Sequence, residues 1–216
     1  MKIADRYSTV IERFSREMPD AATELHYTDT FQLLVAVILS AQCTDKRINM
    51  VTPALFAAFP DAAAMAKAEF DDIHPYITSV TYHNAKTRAL MGMSRKLVDE
   101  FGGEVPSDID TLTSLPGVGR KTANVLLSVA FDREAMPVDT HVFRVSERIG
   151  LTTNSKNPLQ TERTLVKNIP GELLGKAHHW LILHGRYVCK ARKPECEACI
   201  ISDVCRYNTK AKRTKQ

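Results

Sequence analysis

No stretch of this sequence is apolar for long enough to cross a bilayer. The longest purely apolar run, Leu33 to Leu39, is far shorter than the roughly 20 residues a spanning helix needs. Nothing resembling an export signal follows Met1-Lys2-Ile3-Ala4-Asp5-Arg6, because no apolar segment stands behind the first charged residues. There is no convincing alternation of apolar and polar residues, no repeat of fixed period, and no low-complexity stretch before the final ten residues. These absences disfavour β-sheet, membrane-spanning and solenoid architectures. The five cysteines are unsuited to a disulfide framework, since four of them crowd between Cys189 and Cys205, and a reducing, cytoplasmic-type compartment is expected. A phosphate-cradling Walker loop is also missing. Gly117-Val118-Gly119-Arg120-Lys121-Thr122 ends in Lys-Thr but has neither the four-residue gap nor a preceding strand.

What is present is helical periodicity. Apolar residues recur at three- and four-residue spacing near 5–17, 30–42, 45–58, 61–75, 83–102, 107–114, 120–131, 139–149, 158–168 and 172–188. The pattern is punctuated at Pro19, Pro60, Gly102-Gly103, Pro106, Pro116-Gly117, Pro137, Gly150 and Pro170, with Asp61, Ser107 and Thr140 as candidate N-caps. The fold class is therefore all-α, and 216 residues with 44% hydrophobic content suffice for one large domain or two small ones. Phe31 to Leu39 is apolar on nearly every face and reads as a central helix, whose polar exit, Ser40-Ala41-Gln42-Cys43-Thr44-Asp45, emerges at a surface. The net charge of +4 is uneven: residues 176–216 hold ten Lys or Arg against three acids, and the rest of the chain 19 against 22. A basic end of this kind serves either a polyanionic partner or, in the tail with Lys210, Lys212, Arg213 and Lys215, solubility as a disordered end.

The most informative stretch is Leu115-Pro116-Gly117-Val118-Gly119-Arg120-Lys121-Thr122-Ala123-Asn124, between a short helix and an amphipathic one. Two glycines one residue apart open backbone angles closed to other residues and keep side chains away, so the amides starting the next helix can face a phosphate oxygen. Lys121 stands in that first turn beside Arg120. A cationic neighbour and the positive end of the helix dipole both disfavour an ammonium there and help keep the amine nucleophilic. Taken alone, a lysine at a helix start is ordinarily a solvated surface residue. Eighteen residues on, Pro137-Val138-Asp139-Thr140-His141 places Asp139 before another helix. A capping carboxylate is the plain reading of Asp139, and a capped carboxylate is also a rigidly positioned one.

Cys189, Cys196, Cys199 and Cys205 form C-x6-C-x2-C-x5-C. Four thiolates this close are a metal site, and a single C-x2-C pair leans toward a four-iron cluster over zinc, which typically uses two short pairs. The loop Lys190-Ala191-Arg192-Lys193-Pro194-Glu195, held between two ligands, is basic and suited to phosphate contacts. Cys43, remote in sequence, reads as a small buried or loop thiol.

Together the hairpin LPGVGRKTAN, the segment VDTHVFRV, the stretch His179-Trp180-Leu181-Ile182-Leu183-His184-Gly185-Arg186 and the cysteine tail resemble the endonuclease III family of helix-hairpin-helix DNA glycosylases, up to about residue 208. The resemblance implies two helical domains flanking a DNA-binding cleft: a six-helix domain with the helix-hairpin-helix over 23–133, and an iron–sulfur cluster domain from 1–22 and 134–216. It further implies a glycosylase and abasic-site lyase of base-excision repair, acting on damaged bases, with oxidised pyrimidines expected, in double-stranded DNA. Under it Lys121 is the nucleophile and Asp139 the essential carboxylate. Gly117, Gly119 and Arg120 lie at the DNA, Gln42 fills the space of the extruded base, His141 lies by the backbone, and Lys190, Arg192 and Lys193 meet phosphates. The four cysteines carry a 4Fe-4S cluster. The expected protein is a monomer, associated with DNA in the cytoplasm or nucleoid and not with membrane. The chain departs from the family pattern at Tyr82-His83, where a leucine wedge and then tyrosine are usual, and at Thr113, where an acidic residue is common. Tyr82 is accordingly the expected wedge, unless its ring packs on the neighbouring helix.

Overall fold

The computed structural model describes the backbone from Met1 to Arg213 and side chains through residue 209. The chain divides into two compact units, one of Glu24–Asp132 and one of Met1–Thr23 with Arg133–Gln216. Every regular element among the described residues is helical.

The N-terminal helix α1 (Ile3–Glu17) belongs to the second of these units, so the chain enters the first at Glu24. There α2 (Thr30–Ser40) is capped by Asp29, whose carboxylate accepts the Gln32 amide at 2.8 Å. Each residue from Leu33 to Leu39 is at most 3% exposed, so the helix is covered all round, as its sequence requires. Burying such side chains stabilises by about 1.5–3 kcal/mol each, which makes α2 the axis of the unit. Against it pack α3 (Asp45–Ala58), α6 (His83–Phe101) and α8 (Arg120–Val129), with α4 (Ala62–Ala66) and α5 (Phe70–Ile77) on α6 and α7 (Ile109–Thr113) on α8. The single helix expected over 61–75 is thus two. Glu69 and Asp72 form a capping box that starts α5 anew, and a chain that satisfies its own amides there gains nothing from continuing α4.

Two capping expectations are also corrected. Asp108, not Ser107, caps α7 by accepting the Thr111 amide at 2.8 Å. Asp139 caps α9 (Thr140–Ile149), as the plain reading of that residue has it, and Thr140, also a candidate, does not. In each case a carboxylate beside the hydroxyl is the stronger acceptor for an amide at a positive helix end.

In the other unit α9 lies against α11 (Leu174–Tyr187) and contacts α10 (Pro158–Asn168) and α12 (Arg206–Arg213). The helix α12 takes in Lys210, Lys212 and Arg213 of the basic tail, for which a disordered end was one of two readings; Lys215 lies outside the described residues. Tyr7, Val10 and Phe14 of α1 enter the same apolar core as Val142, Val145, Trp180 and Leu181. Polar contacts hold α1 in place: Tyr7 Oη donates to Leu151 O at 2.8 Å, Trp180 Nε1 to Met18 O at 2.8 Å, and Arg6 Nε to Val204 O at 3.0 Å. The first helix and the last third of the chain therefore share one core.

The hairpin between α7 and α8 treats its two glycines differently. Gly117 has φ +80, and a Cβ there would sit 2.8 Å from the Cβ of Ala89. Gly119 has φ −92, open to any residue, and a Cβ there would meet no protein atom within 4 Å. Gly117→Ala is therefore expected to destabilise the protein by about 1–3 kcal/mol through backbone strain and the clash, whereas Gly119→Ala should stay within about 1 kcal/mol, the scale of an altered N-cap. Urea unfolding of the two variants checks this, and equal losses would refute the distinction.

Candidate functional site

Leu115 and Val118, 2% and 6% exposed, root the hairpin in the core of its unit. Val118 N donates to Leu115 O at 3.1 Å to close the turn, and Ala123 N to Gly119 O at 2.9 Å starts α8. The Gly119 N-cap supplies no side-chain acceptor. Arg120 and Lys121 follow as the first two residues of α8, both exposed. The fold thus puts Lys121 at an accessible, dipole-positive helix start, as its sequence position implies.

Two other exposed loop tips in the same unit have left-handed backbones. Gln42, just beyond α2, has φ 54, and Tyr82, the N-cap residue of α6, has φ 57. Tyr82 is 61% exposed, so it is not packed into the neighbouring helix. Beside it His83 Nδ1 lies 2.7 Å from His74 Nε2, bracing the start of α6 against α5. The exit loop of α2 is held by Lys86, which the sequence reading passed over. This lysine is 7% exposed, and its Nζ donates to Leu39 O at 2.8 Å and Ala41 O at 2.6 Å. Burial lowers its pKa from the ordinary lysine range, opposed in part by the nearby Cys43. A signal was available in the sequence: Lys86 stands in helical register with the buried Leu90, Met93 and Leu97, where an apolar residue is the rule.

In the other unit Asp139 is half-buried, and its Oδ1 accepts the Val142 amide at 2.8 Å. The segment leading to it, Ala135–Val138, is buried, and His178 Nδ1 lies 2.9 Å from Pro137 O. Its carboxylate therefore projects from an anchored backbone. On the next turn His141 Nδ1 lies 3.3 Å from Arg144 Nη2, and that nitrogen also donates to Gly185 O at 2.9 Å and Cys189 O at 3.2 Å. A Cβ on Gly185 would stand 3.0 Å from Val145 and 3.1 Å from His141, so the absent side chain is what lets α9 and α11 approach here.

Cys189, Cys196, Cys199 and Cys205 all line one pocket, together with Ile149, His184, Val188 and Pro194. A single zinc would draw four sulfurs to about 2.3 Å from one point. Among the described residues no three His, Cys, Asp or Glu side chains converge in that way. Four thiols spread around a common, largely apolar pocket suit a polynuclear cluster better. Burial pushes the Cys199 thiol up to about 11, so its thiolate needs a cationic partner such as iron. His184, packed 5.1 Å from the Phe14 ring and pushed down to about 4 by burial, is neutral, and its Nε2 lies 3.7 Å from Cys199 Sγ. Arg148 braces the residues around the pocket. It donates to Cys189 Sγ at 3.6 Å and to the carbonyls of Lys190 and Ala191 at 2.8 Å each, with its guanidinium 4.8 Å from the Tyr207 ring centroid. Neither Arg148 nor His184 was singled out from sequence, because sulfur contacts between residues so far apart leave no local pattern.

The loop between Cys189 and Cys196 is exposed at Lys190, Arg192 and Lys193. Lys190 is paired with Glu195 within the loop, and so offers less net charge than the sequence suggests. No ion pair of Arg192 or Lys193 is found among the described residues.

Comparison with known proteins gives a consistent result. Residues 35–171 match the HhH-GPD superfamily base excision DNA repair protein family, and residues 189–205 match the iron–sulfur binding domain of endonuclease III. Endonuclease III of Escherichia coli strain K12 is 43% identical over 201 residues, covering 93% of this chain and 95% of that protein. Endonuclease III of Rickettsia felis is 44% identical over 198 residues, covering 92% of each. A solved structure of a trapped endonuclease III–DNA covalent intermediate, an estranged-adenine complex, superposes with a TM-score of 0.93 at 40% identity, covering 99% of this chain and 100% of that one. The chain belongs to the HhH-GPD superfamily of base-excision DNA repair proteins and, within it, to the endonuclease III family, with its iron–sulfur binding domain at residues 189–205.

Proposed function

We propose that this protein removes damaged bases, oxidised pyrimidines foremost, from double-stranded DNA and then cuts the strand at the abasic site, acting as a monomer on DNA. The carrying observation is Lys121, an exposed amine in the first turn of the helix that follows the Gly117–Gly119 hairpin. The similarity to an endonuclease III captured as a covalent DNA intermediate supports covalent chemistry for this chain as well. Among the described residues no helix is long and apolar enough to cross a membrane.

A target base inside a duplex is out of reach, so its nucleotide must leave the stack, and damage lowers the cost of doing so. Gly117, Gly119 and Arg120 are proposed to hold the backbone phosphates, with His141 at the strand near the site. Gln42 and Tyr82 are proposed to enter the duplex, Gln42 in the space of the extruded base and Tyr82 against the unpaired partner. Stacking of that kind is worth about 1–3 kcal/mol per base in single-strand binding. The neutral Lys121 amine attacks C1′ as the glycosidic bond breaks, and the base leaves with the bonding electron pair. Asp139 accepts the proton that the amine releases and stabilises the positive charge developing on the sugar. The nitrogen lone pair then opens the sugar ring by breaking C1′–O4′, with O4′ taking up a proton, and the imine so formed acidifies the C2′ proton; its removal expels the 3′ phosphate and opens the strand. Cys189, Cys196, Cys199 and Cys205 are proposed to hold a 4Fe-4S cluster whose contribution, when bound, is to tie the loop bearing Arg192 and Lys193 to the core. The unit around α2 is then the helix-hairpin-helix domain, and the other the cluster domain.

Lys121→Gln should abolish the adduct trapped by borohydride on abasic DNA while leaving DNA binding nearly unchanged; a normal adduct would move the nucleophile elsewhere. Asp139→Asn separates capping from chemistry, because Asn caps a helix about as well as Asp. It should melt like the parent yet turn over far more slowly, and normal turnover would leave Asp139 a cap only.

Anaerobically purified protein should contain about four irons per chain, and Cys199→Ser should lower folded yield and DNA affinity together. Zinc in place of iron, by metal analysis, would refute the cluster.

Arg192→Gln or Lys193→Gln should each reduce the salt slope of DNA binding by about one unit, since each phosphate contact releases roughly one counterion. Lys190→Gln should do less, because its ammonium is already paired with Glu195. Unchanged slopes would return the loop to solvent.

A further inference from the structure

The reading of Gln42 and Tyr82 as the residues that open the duplex leaves a mechanical question, since both stand on exposed turns. Each adopts a left-handed backbone that a residue other than glycine takes only at a cost. Such conformations persist where neighbouring contacts hold them, and here Lys86 bonds beside both, through its backbone amide at Tyr82 and its side chain before Gln42. The Lys86 backbone amide donates to Tyr82 O at 3.0 Å, closing the first turn of α6 behind the tyrosine. Its Nζ donates to Leu39 O and Ala41 O at 2.8 and 2.6 Å, taking up two carbonyls where α2 runs out, directly before Gln42. Local bonds also restrain that loop, among them Cys43 N to Ser40 O at 3.0 Å and the Arg47 amide to Thr44 Oγ1 at 3.3 Å.

We propose that Lys86 is a positioning residue for base extrusion, a buried strut that sets the spacing between the Gln42 and Tyr82 tips by joining the exit of α2 to the start of α6. An aliphatic residue at this core position would pack, but it would orphan two carbonyls and release the Gln42 turn. A lysine with its head on backbone acceptors avoids both. The strut touches neither DNA nor the reacting atoms, and it acts through the two tips.

Because this inference rests on the duplex-opening role of those tips, the test measures kcat/KM on one lesion in two settings, fully base-paired and in a pre-opened bulge. Lys86→Met should lose about tenfold on the paired substrate, the scale on which misplacing a positioned group costs rate, and less than about twofold on the bulge. In a Gln42→Ala, Tyr82→Ala background the same change should add no further loss on the paired substrate, as expected when residues act through a shared element. Equal losses on both substrates, or full additivity in that background, would overturn the strut and leave Lys86 a fold residue. An unchanged paired-to-bulged ratio in the Gln42→Ala, Tyr82→Ala protein would instead overturn the opening role of the tips. If Lys86→Met does not fold, Lys86→Gln decides on the same ratio, since its amide can donate but is too short to span both carbonyls.

Discussion

Each α-helix leaves up to four amides at its start and four carbonyls at its end without an intrahelical partner. In a protein made of short helices, settling those groups shapes nearly everything else. At most starts a side chain supplies the acceptor, as Asp29, Thr44, Asp61, Asp108, Asp139 and Asn157 do. The residues assigned chemistry here stand at the same places. Asp139 caps α9, Lys121 lies in the first turn of α8 behind a glycine cap, Tyr82 begins α6, and Gln42 follows the end of α2. A helix end is where a side chain can be both exposed and rigid, because the backbone beneath it is hydrogen-bonded on one side only. The same arrangement turns α2 from a core element into a functional one: its buried length fixes where the chain emerges, and Lys86 settles the carbonyls at that exit.

In the unit that holds the cysteines, arginine does comparable work. The Arg144 guanidinium joins Gly185 and Cys189 carbonyls, and that of Arg148 joins those of Lys190 and Ala191, so two residues of α9 hold the loop that leaves α11. A planar guanidinium with several donors can satisfy neighbouring carbonyls at once, which an ammonium does less well. These contacts shape the thiol pocket from outside, while His184, backed by the Phe14 ring, lines it with an uncharged imidazole. A thiolate at Cys199 is costly in that setting, so binding of a cationic group and closure of the loop favour one another. The α1 helix takes part in the same closure, since Arg13 bonds to Ile200 O at 2.8 Å and pairs with Asp203, within the segment that carries Cys199 and Cys205.

Much of this was legible in the sequence, because it is local. Helical periodicity marks α2, α6 and α9, the capping residues sit within three positions of the amides they serve, and the cysteine spacing is short enough to imply one site. The hairpin glycines carry their meaning in sequence too, although only the structure distinguishes Gly117, held at φ +80 against Ala89, from Gly119, whose absent side chain faces open space. Local signals compete at a few points. Ser107 and Thr140 stand beside stronger carboxylate acceptors, and a capping box divides the helix expected over 61–75.

What the sequence alone determined is therefore most of the helices, the cluster of four thiols and the placement of one amine and one carboxylate at helix starts. All of these follow from residues within a turn or two of one another. The tertiary structure decided the rest: that Lys86 reaches carbonyls 45 and 47 residues away, that Arg6 and Arg13 at the N-terminus tie down the segment after Cys199, and that the Tyr82 ring stays out of the core. Each of those depends on which buried faces meet, and a long polar side chain with its head on backbone carbonyls looks in sequence like any other surface charge.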